Sequence, residues 1–308
     1  MGVFRPILFL LWGISLGEIA ALLTSVMWTF SAIFFTFAGR LIGATSLNRL
    51  RLAFALVFLS LTHWAMQGSL LPLSAAPERW LWLGLSGIVG LTLGDQALFQ
   101  CYIYIGPRLG TLMLASVPVF SALLAWLLLG ETLPLPQIAG ILLAVSGIVM
   151  VILDRSGSSQ IGSSRRSYLL GIVFGVLAAA GQTIGMVLTK RGLAGGFPPI
   201  SGVLIRTAVA MLAAWLMGAF TRQTWQTVSA LKTLGAAKYV LAGSLVGPFI
   251  GVWFSTIAIQ QTQVGIAATL QSLNPIFLLP FSGFLFKEKI TARAVLGTFM
   301  TIAGVVII

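Results

Sequence analysis

One carboxylate, Asp95, stands deep inside an apolar run of this chain, and two arginines, Arg51 and Arg206, stand inside others. Charges held away from water are expensive and mark functional sites. Arg51 falls about seven residues into its segment and Asp95 about nine from the end of the next, so antiparallel helices would bring them to one level, roughly 10–14 Å deep at 1.5 Å per residue. Such a pair could brace two helices. It could equally hold a proton or a substrate, with the arginine tuning the carboxylate. Arg206 has no acidic mate, and either takes a substrate carboxylate or snorkels to the interface.

Uncharged groups extend the set. Gln96 and Gln100 follow Asp95, four residues apart on one face. Gln271 and Asn274 lie one turn apart beside Pro275, facing either a central cavity or a neighbouring helix. Gln182 falls near mid-depth, and Trp28 could wall an amphipathic substrate or pack elsewhere. The expected substrate-binding set is therefore Trp28, Asp95, Gln100, Gln182, Arg206, Gln271 and Asn274. Arg51, Pro118, Glu131, Pro275 and Glu288 are expected in structural or hinge roles. The prolines each remove a backbone hydrogen bond in mid-helix, and the glutamates precede helix N-termini. Glu18 is read as interfacial for the same reason.

Other chemistry is poorly supplied. His63 is the one histidine and Cys101 the one cysteine, which excludes an internal disulfide and a His-rich metal site. No GxxxxGK[ST] phosphate loop occurs. The expectation is a chain that is no enzyme, needs no cofactor or metal, and runs on gradients.

The elements that must carry these residues are apolar almost throughout. The 308 residues are 58% hydrophobic and 8% charged, against about 25% charged in a soluble domain. Lipid is the solvent such a composition suits. The net charge of +12 comes from basic residues scattered singly or in pairs between apolar runs, a pattern for anionic headgroups and not for nucleic acid. Spans are expected at 17–39, 45–66, 80–104, 109–130, 135–153, 168–189, 200–220, 236–259, 264–286 and 290–308.

The second half repeats the first. Pro118 and Glu131 lie 157 residues before Pro275 and Glu288, and the same shift carries Gly90, Gly94, Gly140 and Gly147 onto Gly247, Gly251, Gly297 and Gly304. Nearer the start the shift is smaller: Gly17 meets Gly171, Trp28 meets Gln182, and Arg51 meets Arg206. Val252 stands where Asp95 would have its counterpart. Five spans per half would leave the second copy inverted in the bilayer, with a site between the halves. The expected fold is thus an all-α integral membrane protein of ten transmembrane helices in two inverted five-helix repeats. The first repeat is expected over 1–154, with 1–16 as an interfacial segment, a polar linker over 155–167, and the second repeat over 168–308. Glycines four apart at Gly90–Gly94, Gly243–Gly247–Gly251, Gly171–Gly175 and Gly181–Gly185 are expected at close helix crossings.

The stretch YIYIGPRLGTLMLASVPVFSALLAWLLLGETLPLPQIAGILLAVSGIVMVI (102–152) resembles the EamA-type drug/metabolite transporters. The features that carry the resemblance are Pro118 in mid-helix, Gly130 and Glu131 at the helix end, then Gln137, Gly140 and Gly147. The stretch 262–308 is similar, with Lys287 in place of the glycine, and Trp28 and Arg51 also match. The resemblance implies a secondary active transporter of the plasma (inner) membrane that exports amino acids or related small metabolites. A carrier of lipophilic drugs or anionic sugar phosphates is the alternative, and a non-transporting membrane subunit is another. Expected partners are a small-molecule substrate and the bilayer, with a homodimer left open. Both termini should share one side. Loop charge puts that side outside, whereas the resemblance implies cytoplasmic termini.

Overall fold

The computed structural model describes residues 15–129, 134–153, 165–233, 235–286 and 290–307. Helix α1 (Leu16–Gln67) starts where Ser15 and Glu18 cap each other. The Glu18 amide donates to Ser15 Oγ at 3.2 Å, and the Ser15 amide to Glu18 Oε2 at 2.6 Å. Gly68, in the left-handed region at φ 73°, ends it. Between these points the helix breaks at Gly43 (φ 77°, ψ 156°), so 16–42 and 44–67 run as separate rods. Helix α2 (Pro77–Leu114) breaks in the same manner at Gly106 (φ 83°), just before Pro107. Then follow α3 (Val117–Leu129), α4 (Leu135–Leu153), α5 (Arg165–Gly192), α6 (Pro199–Phe220), α7 (Ala236–Gln261), α8 (Val264–Gln271), α9 (Asn274–Phe286) and α10 (Ala292–Ile307). The connection after α6 carries a short helix, Thr224–Ser229.

Among the described residues the chain is helical with no strand, and seven helices are long and apolar enough to cross a membrane. Exposed side chains such as Phe30, Trp64, Leu142, Val173, Phe220 and Phe284 give the bundle an apolar outer surface. A helical bundle suits lipid because its backbone groups are satisfied within each helix.

Glycine-lined crossings knit the two halves together. A Cβ on Gly181 would meet Gly94 Cα at 3.0 Å, and one on Gly185 would meet Gly90 Cα at 3.2 Å. Two small-residue motifs therefore face each other antiparallel where α5 crosses α2. The counterpart crossing joins α1 to α7: Gly251 receives Trp28, Gly247 receives Ser31 and Gly243 receives Phe35. The first helix of each half thus packs on the third helix of the other. On α4 and α10, Gly147 abuts Gly297 and Gly304 abuts Gly140, so these repeat-equivalent helices also lie antiparallel.

Two irregularities recur at the repeat spacing. Residues Gly87–Gly94 and Leu245–Gly251 are both π-helical. The helix also breaks after Leu114 and again after Gln271, 157 residues on, each time resuming just before a proline. Pro118 cannot donate to the Leu114 carbonyl, nor Pro275 to the Gln271 carbonyl.

Candidate functional site

The π-helical turn ending at Gly94 sets the position of Asp95, and the small residues around it let other helices approach its carboxylate. Arg51, on the second rod of α1, donates to Asp95 Oδ2 at 2.6 Å. Gln182 of α5 donates to Oδ1 at 2.9 Å. Arg51 is held in turn: its Nε donates to Asn48 Oδ1 at 2.9 Å and its Nη2 to the Leu91 carbonyl at 2.8 Å. Asn48 donates to the Thr92 carbonyl, and Thr92 to the Ala210 carbonyl. The Phe99 ring lies 4.9 Å from the Arg51 guanidinium carbon, within cation–π range. Arg51 and Asp95 are 2% and 6% exposed. The pair that depth arithmetic brought to one level is in contact, and it is shared between the halves through Gln182.

This cluster forms one wall of a central chamber of about 60 Å³. Both halves contribute. Trp28, Ser31 and Phe35 come from α1, Leu98 and Tyr102 from α2, and Gln182 and Met186 from α5, with Arg206, Val252, Ser255 and Asn274 from later helices. The charged side chains in its wall are Arg51, Asp95 and Arg206. Arg206 is 4% exposed, and its Nε is buried without a hydrogen-bond partner. Among the described residues it makes no ion pair. Its side chain lines the chamber wall.

A second, smaller chamber adjoins the first at the two helix breaks. It is lined by Leu114, Ala115 and Val117 at one break and by Gln271, Ser272 and Asn274 at the other. Trp28, Gln182, Met186, Leu114 and Asn274 belong to both chambers. Trp28 and Gln182, equivalent in the repeat, therefore stand together at the junction. Gln271 accepts from Ser255 Oγ at 3.2 Å, while its buried Nε2 has no partner. Asn274 Oδ1 accepts from Thr29 Oγ1 at 3.0 Å.

The structure thus gathers Trp28, Asp95, Gln182, Arg206, Gln271 and Asn274 around connected chambers, with Arg51 beside them. Gln100 is half-buried and lines neither. Five residues beyond Asp95, it is turned about 140° around the helix. Pro118 and Pro275 are buried just past the breaks. Glu131 and Glu288 lie outside the described residues, as does the expected interfacial segment up to residue 14. Sequence reasoning missed Asn48, Ser255 and Met186. Asn48 stands one turn before Arg51, the signal that could have found it.

A family model for the EamA-like transporter family matches this chain twice, over residues 15–153 and 169–308. The chain belongs to the EamA-like transporter family. An uncharacterized protein of Pseudomonas aeruginosa is 27% identical over 238 residues, covering 76% of this chain and 75% of that one. An uncharacterized transporter of Synechocystis sp. is 26% identical over 267 residues, covering 80% of this chain and 76% of that one. A solved crystal structure superposes with a TM-score of 0.64 at 15% identity, covering 94% of this chain and 95% of the other, a likeness of fold. The chain is therefore a multi-pass membrane protein of a transporter family, which agrees with its not being an enzyme.

Proposed function

We propose that this protein is a secondary active transporter of the plasma membrane that exports amino acids or related small metabolites by alternating access. Ten membrane crossings arise when the helical paths are divided at Gly43, at Gly106, and between the long helices, with the broken stretches 107–129 and 264–286 each counted once. The antiparallel packing of repeat-equivalent α4 and α10 supports an inverted arrangement of the two halves. One observation carries the reading: the central chamber is built from both halves, with its one carboxylate bridged to each by Arg51 and Gln182. Rocking the halves would expose such a site to either side in turn. It would also strain the Gln182 bond, which crosses between them.

Asp95 is the group through which a proton gradient would act, because it is the acidic side chain in the chamber wall. The test is flux of radiolabelled leucine into proteoliposomes under an imposed pH gradient. Uptake above protein-free vesicles, abolished by a protonophore, is the expected result. Asp95→Asn should lose the response to the gradient and retain leucine exchange. Absence of flux for leucine and for a panel of small metabolites would overturn the transport reading in favour of a membrane subunit.

A further inference from the structure

Arg206 occupies, in the second half, the position that Arg51 occupies in the first. Arg51 is matched by Asp95, Gln182 binds the other carboxylate oxygen, and Asn48 and the Leu91 carbonyl take further donors. Around Arg206 the same scheme is incomplete. The residue 157 positions beyond Asp95 is Val252, and it lines the chamber with Arg206. A guanidinium that is 4% exposed, with a buried Nε lacking a partner, is then held in a wall with no carboxylate of its own. Burying a charge this way is costly unless something pairs with it. Arginine's planar fork fits a carboxylate with two parallel hydrogen bonds.

We infer that the carboxylate of the transported solute completes this second ion pair, occupying the place beside Arg206 that the repeat fills with valine. The inference rests on the transport reading above and names the substrate class of that chamber. With Arg51 and Asp95 cancelling, the wall carries one unbalanced positive charge. It therefore favours a solute with one free carboxylate. A lipophilic cation meets the wrong sign, and a phosphate ester with two negative charges exceeds the charge available. The charge of Asp95 is already neutralised by Arg51, so a solute ammonium group finds no unpaired anion, and an N-acylated amino acid suits the wall better than the free amino acid. The body of the solute would lie against Trp28, Met186 and Leu114 at the junction of the chambers, where Gln271 Nε2 offers an unused donor.

The test uses four compounds with one side chain: leucine, N-acetylleucine, leucinamide and N-acetylleucinamide. Binding to the purified full-length protein in lipid nanodiscs is measured by calorimetry. N-acetylleucine should bind best and leucine next. Each amide should bind weaker than its acid by about ten-fold or more, the range of a hydrogen bond to a charged group. Arg206→Gln should erase the difference between acid and amide. Val252→Asp should supply the missing pair from within the chain and abolish binding of the acids. Arg206→Gln decides the matter alone should Val252→Asp fail to fold. Amides that bind as well as acids, leucinamide binding best, acids unaffected by Arg206→Gln, or no acid binding at about 10 mM, a Kd worth under about 3 kcal/mol, would each overturn the inference. The two readings separate cleanly. Acids that bind in the predicted order without being moved in proteoliposomes sink the transport reading alone. Flux of neutral or cationic solutes without carboxylate preference sinks only the inference.

Discussion

Removing the charge of Asp95 should destabilise the protein more than removing that of Arg51, although the two form one ion pair. The reason lies in the third charge of the chamber. In the native protein Arg51, Asp95 and Arg206 leave one unbalanced positive charge. Asp95→Asn leaves two cations in a chamber without an anion. Arg51→Gln leaves Asp95 with Arg206 in the same wall and with the Gln182 hydrogen bond intact. Breaking a buried pair by removing one partner costs about 3–5 kcal/mol, and Asp95→Asn should fall in that range. For Arg51→Gln the reserve cation limits the loss to about 2 kcal/mol, near the cost of unsatisfied buried groups. The double variant carries only Arg206, as many net charges as the native protein. It should recover part of the loss and return to within about 2 kcal/mol of native stability. Reversible unfolding of all four proteins in mixed micelles, run as a double-mutant cycle, measures each value. An Arg51→Gln protein as unstable as Asp95→Asn would refute the reasoning, because Arg206 would then not sense Asp95.

Other perturbations follow from the packing. Gly185→Ile drives a branched side chain into the Gly90 backbone and should lower stability by about 1–3 kcal/mol, read in the same unfolding assay. Gly147→Val should separate α4 from α10 at the Gly297 carbonyl, and should raise the reactivity of a cysteine placed at Thr301 in a Cys101→Ala background. Lys190, whose Nζ donates to the carbonyls of Ile259, Gln260 and Thr262, ties α5 to the end of α7. Lys190→Met should speed amide exchange over residues 259–263 while leaving Asp95-dependent behaviour unchanged. Cysteines at Ser74 and Gln263 should react with an impermeant reagent from one side of the membrane and a cysteine at Arg222 from the other; labelling of all three from one side would contradict ten crossings.

Much of this architecture was visible in the residues. The 157-residue shift put Pro118 and Pro275 in register, and the helix breaks beside them recur at that spacing, inside spans expected to be continuous. Composition was decisive for the multi-pass helical class, because apolar runs of membrane length admit few alternatives. Helical rise alone put Arg51 and Asp95 at one depth. What stayed hidden depended on contacts between halves. Nothing local to Gln182 says that its amide reaches Asp95, 87 positions away, since that needs the Gly181–Gly94 crossing. The π-helical turns were equally invisible: one extra residue in a turn re-aims everything after it, and neither GIVGLTLG nor LVGPFIG announces it. The rod break at Gly43, by contrast, falls in the interval 40–44 that separates the first two expected spans.

The exchange of helices between halves also sets a timetable for synthesis. The groove at Gly90 and Gly94 is filled by Gly181 and Gly185, which leave the ribosome about 90 residues later, roughly 5–20 s at 5–20 residues per second. Phe35 waits longer for the notch at Gly243, about 10–40 s by the same measure. During that interval the Arg51–Asp95 pair can form, since both members are already made, while the carboxylate oxygen destined for Gln182 has no mate. Helices α1–α4 would therefore enter the bilayer as an open-faced intermediate with backbone-deep grooves on its surface. Insertion factors or neighbouring lipids must shield those grooves until α5 arrives, and a split of the gene at the linker should yield two fragments that accumulate only when made together.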